Sequence, residues 1–342
     1  MGKALVAGHV CVDLSPGLSA PPPATPGVLT EVGRLAVSAG GCVGGTGRAL
    51  AELGTPTRLA CVIGEDELGD VLLSQLRRFA PDTSGVARHA ELSTSYSVVV
   101  EPTGRDRAFW HHSGANDSFD GTDIDLTGVS LLHLGYPSLL PALCEADAER
   151  WLSLFRRARR EGVITSLDLA TIDPRSRAAG VNWRRLFDRV LPYTDVVSPS
   201  VDDVASALGR RRPASQDEVT AMSRELVAQG AAVVLLTAGR SGLQLTTGSR
   251  ARLEAAGAGL AARAGEWADR QLWVPSLPVE VRTTTGAGDA ATAGFLHAVL
   301  QGSDPEVAAH AAAQAAARRI SGHRTERAPT GARRHEREEM AG

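Results

Sequence analysis

Between a short apolar alternation and an alanine-rich stretch, the chain carries Thr284-Thr285-Gly286-Ala287-Gly288-Asp289. Ahead of it Leu277, Val279 and Val281 alternate with polar or small residues, which predicts a strand, and 290–301 behind it predicts a helix. A strand that breaks at Gly-Ala-Gly and re-enters a helix leaves backbone N–H groups unpaired at the helix N-terminus, where they attract anions. Asp289 sets a carboxylate beside that anion hole. It is placed to take a proton from a hydroxyl attacking a bound phosphate; a plain helix cap is the other reading of the same residue.

Rival nucleotide motifs fit less well. A P-loop needs Gly-Lys-Ser/Thr, and the only lysine of the chain is Lys3. Gly286, Gly288 and Ala291 match a dinucleotide fingerprint, but the stretch 308–313, where that motif wants an acid, has only His310 as a polar interruption. A protein-kinase glycine loop would need a partner lysine, which the chain lacks.

A length of 342 residues allows one large α/β domain or two smaller ones. With aromatics at 4%, the core has to rest on Ala, Val and Leu. A net charge of −3 offers no bulk attraction to nucleic acid. Cys11, Cys42, Cys61 and Cys144 are too far apart for a zinc knuckle and suit reduced, buried thiols. No apolar run reaches membrane-spanning length and no secretory signal opens the chain, so a cytoplasmic protein without membrane partners is expected.

In chain order, a buried strand over 4–8 leads to Asp13, at the strand end where open α/β sheets bind ligands. After a proline-rich loop, Gly40-Gly41-Cys42-Val43-Gly44-Gly45 predicts a glycine-rich turn feeding a helix over 48–53. A strand over 57–63 and a helix over 66–79 follow. Strands over 95–101 and 107–111 predict a hairpin outside the main sheet, and Gly114-Ala115-Asn116-Asp117 follows it. His111 and His112 are neighbours on a strand and face opposite ways, which argues against their sharing a metal. From 129 to 237, strands alternate with helices and imply a parallel sheet covered on both faces. Residues 237–247 read as a hairpin at the sheet edge, 251–270 as a helical surface insertion, 305–319 as a last helix and 323–342 as a disordered tail.

The order and spacing of these signals resemble the phosphofructokinase-B, or ribokinase-like, family of carbohydrate kinases over residues 1–322. The resemblance implies a three-layer α/β/α sandwich with a mainly parallel central sheet and a small β lid, drawn from about 14–38 and 94–112. It implies an ATP- and Mg2+-dependent sugar kinase. Asp289 would be the catalytic base, with the Gly286, Ala287 and Gly288 amides as anion hole. Asp13, Gly40, Gly41, Gly45 and Asn116 would contact the sugar. Ser200, Thr237, Gly239, Gly242, Thr285, Gly286 and Gly288 would meet the nucleotide, and Asp203 would act on the metal through water.

Three positions depart from the family pattern. Gly45 stands where an Asn is usual, Thr283 where the late motif opens on Asp, and Ser200-x-x-Asp203 where the family has N-x-x-E. An adenosine-type nucleoside kinase and a catalytically silent sugar-binding regulator are the alternatives. The lid strands could pair with those of a second copy in a homodimer.

Overall fold

Ala4, Leu5, Val6 and Ala7 are all buried, because their strand, β1 (Lys3–Gly8), lies mid-sheet with helices on both sides. Ala4 and Val6 join one core cluster, Leu5 and Ala7 the other. A strand covered on both faces loses the polar alternation of a half-exposed one. The computed structural model describes residues 2–22, 25–102 and 107–322. The expected tail at 323–342 and the hairpin turn at 103–106 lie outside them.

After β1 come β2 (Cys11–Pro16), β3 (Leu35–Gly40), α1 (Gly41–Glu52), β4 (Thr57–Gly64), α2 (Glu67–Arg77) and β5 (Asp82–His89). The hairpin is β6 (Tyr96–Val100) with β7 (Ala108–His112). The alternating region holds β8 (Val129–Gly135), α3 (Pro141–Arg160), β9 (Ile164–Asp168), α4 (Trp183–Val190), β10 (Val196–Val197), α5 (Val201–Ala207), α6 (Gln216–Ala228) and β11 (Val233–Thr237). Then come β12 (Leu243–Thr247), the short helices α7 (Arg250–Glu254), α8 (Ala258–Ala261) and α9 (Ala264–Trp267), β13 (Gln271–Val274), α10 (Ala287–Leu300) and α11 (Pro305–Ile320).

The main sheet has 9 strands in the order β13-β12-β11-β10-β9-β8-β1-β4-β5, parallel from β11 to β5, with β12 and β13 added antiparallel. From β1 the chain builds outward through β4 to β5, then returns to the other side of β1 as β8. That reversal opens a crevice past the C-terminal ends of β1 and β8. A second sheet, β3-β2-β6-β7, stands over it. The α/β architecture and the separate β lid are those expected.

Several local expectations are corrected. No strand forms over 275–281, where Leu277, Val279 and Val281 are exposed; the last strand ends at Val274. The segment from Gly41 to Gly47 is already helical, because α1 packs its glycines against neighbours that leave no room for a side chain. The lid strand starts at Leu35, since Leu29 and Val32 lie in exposed loop. The hairpin β11–β12 is not the edge, as β13 pairs beyond it. The 251–270 segment buries Leu253, Leu260, Ala264 and Trp267 in the core, where Trp267 meets Phe295 edge-on. β5 carried no alternating signal, for its residues are partly exposed along a sheet edge. Alanine dominates α10 and α11 because they pack closely: a Cβ on Gly294 would lie 2.6 Å from the Ala311 carbonyl oxygen.

Candidate active site

Asp289 lies in the first turn of α10, half-buried, behind Gly286 in the left-handed conformation (φ 77°). Its Oδ1 accepts hydrogen bonds from Thr46 Oγ1 of α1 and from the Tyr136 hydroxyl past β8, each at 2.8 Å. Burial raises its pKa, while the two donors and nearby Arg319 pull the other way. The carboxylate thus stays accessible to a proton while being held by two fixed donors.

Tyr136 itself adopts a left-handed backbone (φ 63°), uncommon for a side chain of its size, directly after Gly135. Its hydroxyl is pushed well above the ordinary tyrosine value by burial and by the charges of Asp289 and Asp168, so it remains a donor. Asp168, at the end of β9, is buried and raised by burial and by Asp203 and Asp289.

The lid brings a second set of groups. Register across its sheet pairs Asp13 with Ser97 and Ser97 with His111, so these side chains form one row on one face. Asp13 is raised to about 6 by burial, with the Cys11 hydrogen bond lowering it and Asp289 raising it. Cys11 Sγ donates to Asp13 Oδ1 at 3.3 Å, and burial pushes its thiol well up. His9, at the end of β1, meets His111 with Nε2 atoms 3.4 Å apart and lies 5.9 Å, ring to ring, from Tyr136. Burial first, and then the other imidazole, holds His9 well below the usual histidine range.

Of the residues expected on the nucleotide side, Thr285, Gly286 and Gly288 lie at the N-terminus of α10. The N–H groups of Ala287 and Gly288 belong to its first turn, which has no preceding helical carbonyls; that of Ala287 makes a long contact to the Thr284 carbonyl at 3.4 Å. Two arginines border them. Arg319 Nε donates to the Thr285 carbonyl at 2.9 Å from the end of α11, and Arg107, before β7, donates to Thr284 Oγ1.

A profile of the pfkB family carbohydrate kinases matches residues 1–330. The chain belongs to that family, and it is an enzyme of the carbohydrate kinase class. It is 26% identical over 260 residues to a sugar kinase of Archaeoglobus fulgidus, covering 75% of this chain and 88% of the relative. It is 27% identical over 264 residues to a fructokinase of Rhizobium leguminosarum bv. trifolii, covering 75% and 70%. Its fold matches the Arabidopsis thaliana ribokinase solved with ribose and ATP, with a TM-score of 0.69, 20% identity, and 94% and 93% of the two chains covered. The sandwich-plus-lid architecture is therefore the ribokinase-like one. No described helix is long and apolar enough to cross a membrane.

With that family frame, the individual residues sort by position. Gly40 ends lid strand β3 and Gly41 opens α1: a Cβ on the first would lie 2.3 Å from Asp13 Oδ2, and on the second 2.6 Å from His9 Nδ1. Gly45 faces Asp289. Asn116 is fully buried and spends its amide on the backbone, accepting from Val10 N at 3.2 Å and donating to Val10 O at 2.8 Å. It braces the β1–β2 connection, and its polar atoms are turned to that backbone. Thr237 ends β11 beside Ser200, to which it is bridged. Gly239 makes the turn that follows (φ 61°), while Gly242 abuts β13, where a Cβ would lie 2.2 Å from the Val274 carbonyl. Thr285 Oγ1 is buried with no partner among the described residues. Thr283 Oγ1 accepts from Thr285 N, so the hydroxyl retains a turn-capping contact where the family has a carboxylate.

Ser200 and Asp203 form a capping box for α5, and Asp203 Oδ1 also accepts from Thr171 Oγ1 at 2.8 Å. Both oxygens of Asp203 are thus in use, which suits action on a cation through water better than direct ligation. The raised Asp168 and Asp203 give a hard-oxygen donor set of the kind Mg2+ takes. Reading the sequence alone did not single out Thr46, Tyr136, Asp168 or Arg319. Only Tyr136 left a trace, as Gly135-Tyr136-Pro137 closing an apolar strand at the ligand-binding end of the sheet.

Proposed function

We propose that this carbohydrate kinase transfers the γ-phosphoryl group of ATP to a hydroxyl of a small carbohydrate held between Asp13 and Asp289. One observation carries the reading. A half-buried carboxylate, Asp289, sits in the first turn of α10 beside the Gly286–Gly288 backbone and is oriented by Thr46 and Tyr136. In this reading Asp289 accepts the proton of the attacking hydroxyl, and its raised pKa makes it a better base than an exposed carboxylate. The Gly286–Gly288 amides, with Arg319, hold the transferred group and its developing charge. The lid row Asp13–Ser97–His111 closes over the acceptor and excludes water, which would otherwise compete as phosphoryl acceptor. Magnesium, held near Asp168 and Asp203, would neutralise phosphate charge. The names of the fructokinase and ribokinase relatives support a sugar acceptor.

A nucleoside acceptor is the second reading. Phe109 lies two residues from His111 on the same face of β7 and is 47% exposed; the Arg107 guanidinium lies 5.6 Å from its ring centre, and the opposite ring face could stack on a base. The outer face of the lid carries Trp110, 62% exposed, which supports pairing with a second copy through the lid.

ADP release from ATP and Mg2+ across pentoses, hexoses, keto-deoxy sugar acids and nucleosides, with Asp289→Asn beside it, tests the proposal. A sugar-dependent signal lost in the variant is expected. A signal with nucleosides alone would favour the second reading. Thermal stabilisation by a sugar without any turnover would point to a silent binding protein.

A further inference from the structure

His111 was set aside as a metal ligand because its sequence neighbour His112 faces away. His112 does turn off, its Nε2 lying 2.9 Å from Ser93 Oγ. The fold instead brings His111 to two residues about a hundred positions earlier. The ligand atoms of His9, Cys11 and His111 all lie within 4.8 Å of one another.

We propose that His9, Cys11 and His111 form a site for a single zinc-class divalent cation, and that a cation held there closes the acceptor pocket to sugar.

The geometry is close to that of a bound ion. Zinc bonds to imidazole at about 2.0–2.1 Å, so two histidines on a tetrahedral ion have nitrogens roughly 3.3 Å apart. The Nε2 atoms of His9 and His111 are 3.4 Å apart. Cys11 Sγ needs a movement of only about 1 Å to reach a third vertex at the usual Zn–S length. One thiolate and two imidazoles make a soft-to-borderline set, which prefers zinc, cobalt or copper to magnesium. The magnesium of the kinase reaction, held by oxygens, would not compete for it.

The surroundings also suit a metal. His111 Nδ1 lies 3.0 Å from Ser97 Oγ, the outer contact that fixes a ligating imidazole, and Ser97 Oγ is 3.6 Å from Cys11 Sγ. His9 Nδ1 is buried without a hydrogen-bond partner among the described residues, so the only partner of that ring is the facing imidazole. Two imidazoles set nitrogen to nitrogen share one hydrogen at best, whereas a cation engages both lone pairs. When the metal–thiolate bond forms, the Cys11 proton leaves by way of Asp13, whose Oδ1 already accepts from Sγ. His111 is exposed and gives the ion an entry path.

His9 follows β1 of the main sheet, while Cys11 opens β2 and His111 lies on β7, both in the lid sheet. A cation shared by all three would tie the lid, through Cys11 and His111, to His9 at the end of β1 beside Tyr136. Closure to sugar rests on reading this pocket as the acceptor site; the metal site itself does not.

Cobalt(II), added to the chelator-stripped full-length chain, tests the site without any assay of activity. One cobalt per chain with a near-ultraviolet thiolate-to-cobalt band is expected. His111→Ala, an exposed and structurally mild change, should weaken binding at least about tenfold, the usual scale for loss of a ligand or its support. Cys11→Ser should abolish the band. No band in the unaltered chain, or one that survives Cys11→Ser and so belongs to Cys42, Cys61 or Cys144, overturns the site. Zinc in the ADP-release assay then tests closure: a raised KM for acceptor with kcat and the KM for ATP unchanged is expected. A cobalt band together with zinc inhibition indifferent to acceptor concentration would overturn closure and the acceptor reading of the pocket, while upholding the metal site.

Discussion

A Cβ on Gly45 would lie 2.2 Å from Asp289 Oδ2, so the carboxylate occupies the space that a side chain at position 45 would fill. Where the family usually has Asn, the Asp289 carboxylate itself comes up against α1. Thr46, one residue on, holds that carboxylate by its hydroxyl.

Gly45→Ala should for this reason act on the base more than on the fold. The methyl group must displace Asp289 by about 1 Å, a shift on the scale that costs about a hundredfold in rate. Helix α1 itself gains from Ala over Gly by roughly 0.5–1 kcal/mol before the clash is counted. A kcat within twofold of the unaltered enzyme, measured beside an unchanged melting temperature, would show that Asp289 does not need this position.

Tyr136→Phe removes one of the two hydrogen bonds to Asp289 Oδ1 without changing the shape of the ring. A donor to a carboxylate stabilises its charged form, so its loss raises the pKa of Asp289 further. The acid limb of the kcat–pH profile should move to higher pH. At neutral pH the rate should fall by about tenfold, as for one charge-assisted hydrogen bond. A limb that stays in place would separate Tyr136 from the titrating base.

These two residues show how much of the site could be read beforehand. The glycine turn and the start of α10 were legible because Gly-Ala-Gly-Asp is local: the turn, the helix start and the carboxylate lie within a few residues. The parallel sheet was legible for the same reason, as buried strands and helices each carry a periodic signal of their own. Thr46 and Tyr136 meet Asp289 across 243 and 153 positions of chain, and nothing in their own neighbourhoods encodes the meeting. The sequence position of Gly45 likewise says nothing of Asp289, which lies opposite it. Leu277, Val279 and Val281 gave a strand-like alternation, but beyond Val274 they have no neighbouring strand to pair with and stay exposed.

Asp289→Asn separates catalysis from stability. The raised pKa means that the folded protein binds this proton more tightly than the unfolded chain does. Stability is then lost as pH rises from the unfolded carboxylate value, about 3.9, through the folded one. The neutral amide escapes that loss. The variant should lack turnover yet melt higher than the unaltered enzyme at neutral pH, with the gap closing toward pH 4. Melting curves across that range decide it: a variant less stable at neutral pH, with the deficit growing as pH rises, would mean that the charged form is favoured by folding.

Arg319 offers the last test, because it reaches the Thr285–Gly286 turn from outside the motif. Its Nε donates to the Thr285 carbonyl, and a Cβ on Gly286 would lie 2.9 Å from the same nitrogen. If the arginine serves the transferred phosphate, Arg319→Ala should raise the KM for ATP by about tenfold, the scale of one lost charge-assisted contact, with the KM for acceptor within twofold. The acid limb of kcat should also move to higher pH, since the guanidinium charge lowers the Asp289 pKa. Arg319→Lys keeps the charge but not the planar donor, so it should restore the limb while recovering only part of the ATP affinity. A purely structural Arg319 would lower the melting temperature in both variants and leave the pH profile where it was.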